Sequence, residues 1–492
     1  MDIKTFEDYY LEPISISSEN RQKPLPQIFK DVAELQISPD EQITDTKKKY
    51  TFTNKNLDII TIPHEAYLYI TASHITTSGS TPADKEAKMT KTNTIAIPSS
   101  AGLIDSYDYL INDTTICTQN NSLASTLYAV NNGLYASSSK YLEHIGLSNP
   151  NVGTINLQSK KYGTSNHEWI IPLKLFIPFL KDNKILWGVK QTLKITRADI
   201  TNAIYELDGG ALPANFAVNI KNIELRMPYI KLENETQKEL WSSMYAKNVD
   251  RYWLDVDQFW SDQIDNSSAR TNETFKVATK GLNSKPRYLL LHAVQDTGNN
   301  LEKNKPMGFG NDDLTTYNDN SNTMRFKKLR VKINGIYVDN GNVMEFICVD
   351  AQNKTAPANA ADITDPSDST KTIPDPAKSD KDNSPYRKYR DFFTAYDDYC
   401  KFFGQYYSKR DSVKSFVEWL KEQLFVFDLT NIDGEQIFQN SGNSLIIEIE
   451  YSTYKGVSTS ATNKTFKLVA NVLYDKQLSI MHSENKAVLT LT

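Results

Sequence analysis

The feature that most constrains this chain is that one order of strand patterns occurs in it twice. Pro63-His64-Glu65-Ala66-Tyr67-Leu68-Tyr69-Ile70 is matched by Lys285-Pro286-Arg287-Tyr288-Leu289-Leu290-Leu291, each a proline followed by Tyr and aliphatic residues. Asp108-Tyr109-Leu110-Ile111-Asn112-Asp113 is matched by Arg330-Val331-Lys332-Ile333-Asn334-Gly335, each a strand running into an Asx turn. Next come Trp169-Ile170-Ile171-Pro172-Leu173 and Leu424-Phe425-Val426-Phe427-Asp428-Leu429, whose near-continuous apolar character suits strands covered on both faces. Leu186-Trp187-Gly188-Val189-Lys190-Gln191-Thr192-Leu193 is then set against Leu445-Ile446-Ile447-Glu448-Ile449-Glu450-Tyr451. Last, Asn219-Ile220-Lys221-Asn222-Ile223-Glu224-Leu225 is set against Phe466-Lys467-Leu468-Val469-Ala470-Asn471-Val472-Leu473. The matches are of pattern, not identity. Preserved order is what separates them from chance similarity among Val-, Ile- and Tyr-rich strands.

A repeat of this length implies two cores, and 492 residues exceed the roughly 250–300 that one core serves. Each half holds roughly eight strands joined by long connections, without the helix at every crossover that a parallel sheet needs. The pattern therefore predicts a mainly β chain of two tandem eight-stranded jelly-roll domains, which are Greek-key β-sandwiches, with helical insertions. Residues 46–240 form the first domain and 241–492 the second. Residues 1–45, polar and carrying Pro13, Pro24, Pro26 and Pro39, read as an arm lying on a surface. Short helices are expected at Leu123–Val130 and around Tyr141–Ile145. Residues 351–384, rich in Ala, Asp, Pro, Ser, Thr and Lys, read as an exposed low-complexity loop. Residues 386–424 read as a helical insertion in which Phe392, Tyr396, Tyr399, Phe403 and Tyr406 share one face, divided near Gly404 and Ser408–Asp411.

Charge removes one class of function. Lys and Arg number 55 against 60 Asp and Glu, a net charge of -5, so no global positive field exists to hold a nucleic-acid backbone, and sequence-specific nucleic-acid binding is not expected. The three cysteines, Cys117, Cys348 and Cys400, are scattered and odd in number, which fits a reducing compartment better than a disulfide framework or a zinc site. No apolar run approaches the ~18–20 residues of a membrane span, and the first residues lack the pattern of a secretory signal. The expectation is a soluble protein made inside a cell, with no transmembrane segment.

Sites of chemistry are thin. There is no P-loop, no Gly-x-Ser-x-Gly elbow and no His-Glu-x-x-His. Gly308-Phe309-Gly310-Asn311 reads as a turn. His64, His74, His144, His167, His292 and His482 are dispersed without ligand spacing. Asp255 and Asp257 share one strand face at a spacing that acid/base work could use, and their plainer reading is a solvated face beside Trp253 and Phe259. Lys47-Lys48-Lys49 and Phe326-Lys327-Lys328-Leu329-Arg330 could touch phosphate, but read more simply as exposed strand ends. The row Phe392, Tyr396, Tyr399, Phe403 reads as a helix packed on its own sheet, with Asp397 and Asp398 opposing an acidic membrane. No catalytic, cofactor-binding or metal residue is assigned, and no cofactor is expected.

The sequence resembles the double jelly-roll major capsid proteins of tailless icosahedral double-stranded DNA viruses, in particular the polinton-like, adintovirus and virophage branch. The likeness spans most of residues 50–490. It is carried by Ile104-Asp105-Ser106-Tyr107-Asp108-Tyr109-Leu110-Ile111-Asn112-Asp113, by Ile171-Pro172-Leu173 through Phe179 to Leu186-Trp187-Gly188-Val189 and Arg197, and by Lys285-Pro286-Arg287-Tyr288-Leu289. Phe425-Val426-Phe427-Asp428-Leu429-Thr430 and Asn471-Val472-Leu473-Tyr474-Asp475 add to it. The resemblance implies a non-enzymatic structural protein of the virion capsid, synthesised and assembled inside the host cell. It would form a homotrimer of pseudo-hexameric outline that meets neighbouring capsomers, a vertex (penton) protein and minor capsid proteins. Loop 351–384 would decorate the exterior or cover trimer contacts, and the arm 1–45 would reach the inner face or a neighbour. Two other readings stay open: a carbohydrate- or receptor-binding β-sandwich with Trp253 and Trp260 as a sugar platform, and a glycoside-acting enzyme using Asp255 and Asp257.

Overall fold

The computed structural model describes residues 29–43, 48–76, 95–97, 103–120, 129–130, 155–156, 166–181, 185–198, 205–206, 216–232, 248–262, 264–265, 272–278, 286–295, 326–338, 343–346, 363–365, 368–373, 385–406, 413–416, 424–430, 444–453, 465–483 and 486–491, with 234, 238, 242 and 419. The first set of strands is β1 (Phe29–Ile37), β2 (Lys49–Asn54), β3 (Ile60–Thr61), β4 (Tyr67–Thr76), β5 (Ile95–Ile97), β6 (Ile104–Ile111), β7 (Thr114–Gln119), β8 (Ile155–Asn156), β9 (Asn166–Pro172), β10 (Leu186–Trp187), β11 (Gln191–Arg197), β12 (Tyr205–Glu206) and β13 (Phe216–Leu232). The second is β14 (Asn248–Trp260), β15 (Ile264–Asp265), β16 (Asn272–Ala278), β17 (Pro286–Gln295), β18 (Phe326–Ile333), β19 (Ile336–Tyr337), β20 (Met344–Glu345), β21 (Ile363–Asp365), β22 (Asp368–Ile373), then helix α1 (Pro385–Tyr406), β23 (Phe425–Asp428), β24 (Ser444–Thr453), β25 (Thr465–Ser483) and β26 (Lys486–Leu491).

The pairing of these strands repeats. In the first module β1-β13-β4-β9 make one antiparallel sheet and β2-β11-β6-β7 the other; in the second the sheets are β14-β25-β17-β23 and β16-β24-β18-β19. Numbering the eight principal strands of each module in chain order, both modules read 1-8-3-6 over 2-7-4-5. Each module is thus an eight-stranded, two-sheet jelly roll, the architecture predicted from the sequence. The remaining strands are additions: β3 and β10 extend the first sheet, β15 and β26 pair with β25, β20 pairs with β18, and β5, β8, β12 and the hairpin β21-β22 stand apart.

Period-two alternation sets the cores. On the facing sides of the first module's sheets lie Leu68, Ile70, Ile171, Ile223 and Leu225, opposite Tyr50, Phe52, Tyr109, Ile111, Leu193 and Ile195, all buried. The second module repeats this with Leu289, Leu291, Phe425, Phe427, Ala470 and Val472 opposite Leu329, Val331, Ile333, Ile447 and Ile449. The two-residue turns after β6 and β18 have the left-handed backbone that twisted hairpins require, with φ of 46° and 66° at Asn112 and Asp113 and 48° and 82° at Asn334 and Gly335.

The matched positions also locate where the modules diverge. The Leu173 N–H donates to the Ala66 carbonyl (2.9 Å) and the Leu429 N–H to the Arg287 carbonyl (2.8 Å), so these are equivalent residues. The offset is 222 at Asn112 and Asn334 but 256 at Leu173 and Leu429, so the second module carries 34 more residues between its fifth and sixth strands. Helix α1 lies there and runs along the edge strand β23: Phe402 meets Tyr288 (4.8 Å) beside one end, and Phe392 meets Phe346 (5.0 Å), which also meets Phe425 (5.2 Å), at the other. A covered edge cannot template further pairing.

Several expectations are corrected. Phe29–Ile37 is not part of a surface arm: it is β1, registered on β13 from Phe29 opposite Leu232 to Ile37 opposite Leu225. Loop 351–384 contains the hairpin β21-β22. Only the second of the two strands read as covered on both faces is so; Ile170 in β9 is 43% exposed, whereas Phe425, Val426 and Phe427 in β23 are all buried. Strand β9 ends at Pro172, after which the chain passes through two 3-10 turns, Leu173–Leu175 and Pro178–Lys181. Thr465–Ser483 is one continuous strand. Of the helix expected at Leu123–Val130 only 129–130 are described, as helix, and Tyr141–Ile145 lies outside the described residues.

Candidate functional site at the seam between the two sandwiches

Strands β14 and β25 outrun the sheet to which they belong. Along β25, residues 466–474 pair with β17, but β14 continues opposite β25 as far as Asn248 and Met481, and β26 then pairs with 478–483. The result is a ribbon projecting beyond the second sandwich. Its inward face completes the first core: Trp253, Leu478 and Ile480 belong to the first module's buried cluster, and Leu489 packs against it. The opposing surface is strand β7 and the 3-10 turn Pro178–Lys181.

Aromatic packing fixes this contact. Trp253 stands edge-on to Phe179 at 5.1 Å between centroids, and Phe179 in turn meets Tyr109 at 6.0 Å. Behind Tyr109 runs a buried relay that ties the first module's two sheets: its hydroxyl donates to Gln191 Oε1 (2.9 Å), Gln191 Nε2 donates to Thr61 Oγ1 (2.7 Å), and the Thr61 hydroxyl donates to the Leu186 carbonyl (3.1 Å). From the ribbon, the buried guanidinium of Arg251 donates through Nη2 to the Ile185 carbonyl at 3.1 Å.

One polar cluster crosses the seam. Asp255, 3% exposed, forms an ion pair with Lys476 on the neighbouring strand, and the Cys117 thiol of β7 approaches the same carboxylate. Burial, and then the Asp255 charge, push the Cys117 thiol well above its usual range. For Lys476 burial works against the ammonium, but the Asp255 carboxylate outweighs it and the net direction is upward. Tyr474, beside Asp255 and Asp257, is raised mainly by burial. At the end of the 3-10 turn, burial pushes Lys181 down to about 7. Asp255, buried and paired with Lys476, thus lies in the contact between the two modules.

The candidates drawn from sequence fall as follows. The solvated face expected for Asp255 is overturned by its burial, while Asp257 is half-buried. Trp253 is buried in the seam and cannot form a sugar platform, and the Trp260 indole N–H donates to Gln258 Oε1 at 3.0 Å. His64 and His292 are buried, His292 pushed down to about 3 by burial; the side chains of His74, His144, His167 and His482 lie outside the described residues. No group of three candidate metal ligands occurs among the described residues. Gly308–Asn311 and Cys348 lie outside them. In the basic stretch of β18, Arg330 lies over the Tyr337 ring (3.3 Å) and Lys332 pairs with Glu450. The aromatic row packs as expected: Phe392, Tyr399 and Phe403 are fully buried in the second core, with Tyr396 against it. No described helix is long and apolar enough to cross a membrane. What sequence reading missed is the Cys117–Asp255–Lys476 cluster: Asp255 and Lys476 meet across the paired strands β14 and β25, and Cys117 of β7 reaches them only through the tandem arrangement.

No protein-family model and no curated protein matches the sequence. Solved structures do. A chain in the cryo-EM structure of the Sputnik virophage aligns over 98% of this chain and 92% of its own length, with a TM-score of 0.52 and 8% identity. The chain is a double jelly roll. The mavirus major capsid protein aligns with this double jelly roll over 98% of this chain and 95% of its own, with a TM-score of 0.46 and 11% identity. PBCV-1 VP54, fitted into a cryo-EM reconstruction of Sputnik, aligns over 94% and 96%, with a TM-score of 0.48 and 12% identity.

Proposed function

We propose that this double jelly roll is a structural major capsid protein, three copies of which form a pseudo-hexameric capsomer that tiles an icosahedral viral shell. The observation that carries the reading is the identity of strand order in two sandwiches held together by a buried seam. Two like modules per chain and three chains about a three-fold axis give six similar modules around a ring, and a hexagonal outline fills a surface. The likeness in fold to a chain of the Sputnik virophage supports it.

On this reading the chain works in the virion capsid after assembly in the host cell. It contacts itself, neighbouring capsomers, a vertex protein and minor capsid proteins, and needs neither catalysis nor a cofactor. The modules divide near residue 240, with β1 counted in the first. Loop 351–384 faces outward or covers trimer contacts, and the residues before β1 reach the inner face or a neighbour. Electron microscopy of the purified protein tests the proposal: trimers of hexagonal outline are expected, and a monomer that binds glycans on an array would replace the capsid reading with the carbohydrate- or receptor-binding one.

A further inference from the structure

The outward face of the second module's β14-β25-β17-β23 sheet carries a polar pair at a buried position. Gln258, Asn471, Leu290 and Val426 stand opposite one another in one row across the four strands. Asn471 is wholly buried, and neither its Nδ2 nor its Oδ1 has a hydrogen-bond partner among the described residues. Beside it, the Trp260 indole N–H donates to Gln258 Oε1 (3.0 Å), which fixes the other end of that amide as its donor. Gln258 Nε2 is buried and likewise without a partner among the described residues. Buried amides in native proteins find partners, in protein or in ordered water, because leaving them unpaired is costly. The first module supplies the comparison. Ala66 and Arg287 are equivalent, so β13 and β25 correspond at an offset of 247, and Asn471 takes the place of Glu224. Glu224 is satisfied by its own neighbours, accepting from Asn222 Nδ2 (2.7 Å) and from Arg226 Nε and Nη2 (3.1 and 3.0 Å). At those two places the second module has Val469 and Leu473, which have no side-chain donor.

We propose that the Gln258 and Asn471 amides are a binding site for an ordered water, which accepts from Gln258 Nε2 and donates to Asn471 Oδ1. The chemistry of the surrounding face selects water over an ion. The flanking rows are Val256, Leu473 and Tyr288 on one side and Trp260, Val469 and His292 on the other, and none carries a charge, since burial keeps His292 neutral. An ion there would be buried without a counter-charge, whereas a water needs only two to four polar partners. The cover is apolar: the cluster that buries Leu290 and Leu473 takes in Phe392 and Phe403 of α1 and, from the first module, Ala129 and Val130. The site is independent of how copies of the chain assemble, because every residue in it belongs to one module.

The test is a density map of the full chain at a resolution that shows ordered water. A peak within about 3 Å of both Gln258 Nε2 and Asn471 Oδ1 is expected. A direct bond between the two amides, or no density between them, would overturn the site. Alongside it, Asn471→Leu should lower the denaturant midpoint of unfolding, because the water loses its acceptor and Gln258 Nε2 is left unpaired. An unchanged or raised midpoint would mean that the Asn471 amide is unpaired in the native chain, and would also overturn the site. Should Asn471→Leu not fold, the density of the parent chain decides alone.

Discussion

Asn112 and Asn334 do the same work at the same place in the two modules. The Asn112 N–H donates to the Lys190 carbonyl (2.9 Å) while the Lys190 N–H returns a bond to Asn112 Oδ1 (2.8 Å); Asn334 exchanges the same pair with Ile446, at 2.8 and 2.6 Å. Each sits at positive φ in the turn between the fourth and fifth strands, and each thereby clamps that turn to the seventh. Asn tolerates that backbone better than most residues, and its short amide reaches the neighbouring strand.

Asn112→Ala and Asn334→Ala therefore each lose a side-chain hydrogen bond and place alanine in a left-handed turn, for an expected cost of about 1–3 kcal/mol. Asn112→Gly and Asn334→Gly restore the backbone freedom and should recover part of the loss. Denaturant unfolding of the four variants checks this. Equal losses at both positions are expected from equivalent modules.

The Asp255–Lys476 pair predicts an asymmetric double-mutant result. Removing one partner, by Asp255→Leu or Lys476→Met, leaves a buried charge and should cost about 3–5 kcal/mol. Replacing both should cost much less, because the first module carries apolar Leu35 and aromatic Tyr229 at the equivalent places. The pH dependence has a definite sign: Lys476 is raised on folding, so the pair contributes fully below the ordinary lysine value of 10.5 and is lost only as pH rises past it.

How far the sequence carried these conclusions can be seen at single positions. The equivalence of Asn112 and Asn334 was legible, because a strand followed by an Asx turn leaves a local mark. The matching of Leu186–Leu193 with Leu445–Tyr451 was three positions out: Lys190, not Trp187, is the equivalent of Ile446, since both bond the turn asparagine. Buried Gln191 hid the start of β11, while Leu186 and Trp187 form a separate strand, β10, before Gly188 at φ 65°. Strand β1 did leave a signal, the alternation of Ala33, Leu35 and Ile37, but proline-rich flanks masked it. The burial of Asp255 left none, because what covers it comes from the other module.

His292 predicts acid sensitivity of the second module. It is fully buried on β17, and burial pushes its imidazole down to about 3. Above the ordinary value of 6.5 it has no effect on stability with pH. Below it the unfolded chain binds a proton that the folded chain refuses, so stability falls by about 1.4 kcal/mol per pH unit until the folded value is reached. Unfolding midpoints measured from pH 7 to pH 4 should show this slope, and His292→Gln should reduce it by one proton's worth.

Cys117 turns the seam into something that can be timed. Its thiol is buried between β7, Phe179 and Asp255, and both burial and the carboxylate disfavour the reactive thiolate. With Cys348 and Cys400 replaced by Ser, the native chain should resist alkylation and become labelled only as the ribbon lifts from the first sandwich. Trp253→Ala removes the ring that stands on Phe179 and should speed labelling at denaturant concentrations well below those of global unfolding, as read by peptide mass mapping. Prompt labelling of the unsubstituted seam under native conditions would mean that the two modules are not held together by the contact described.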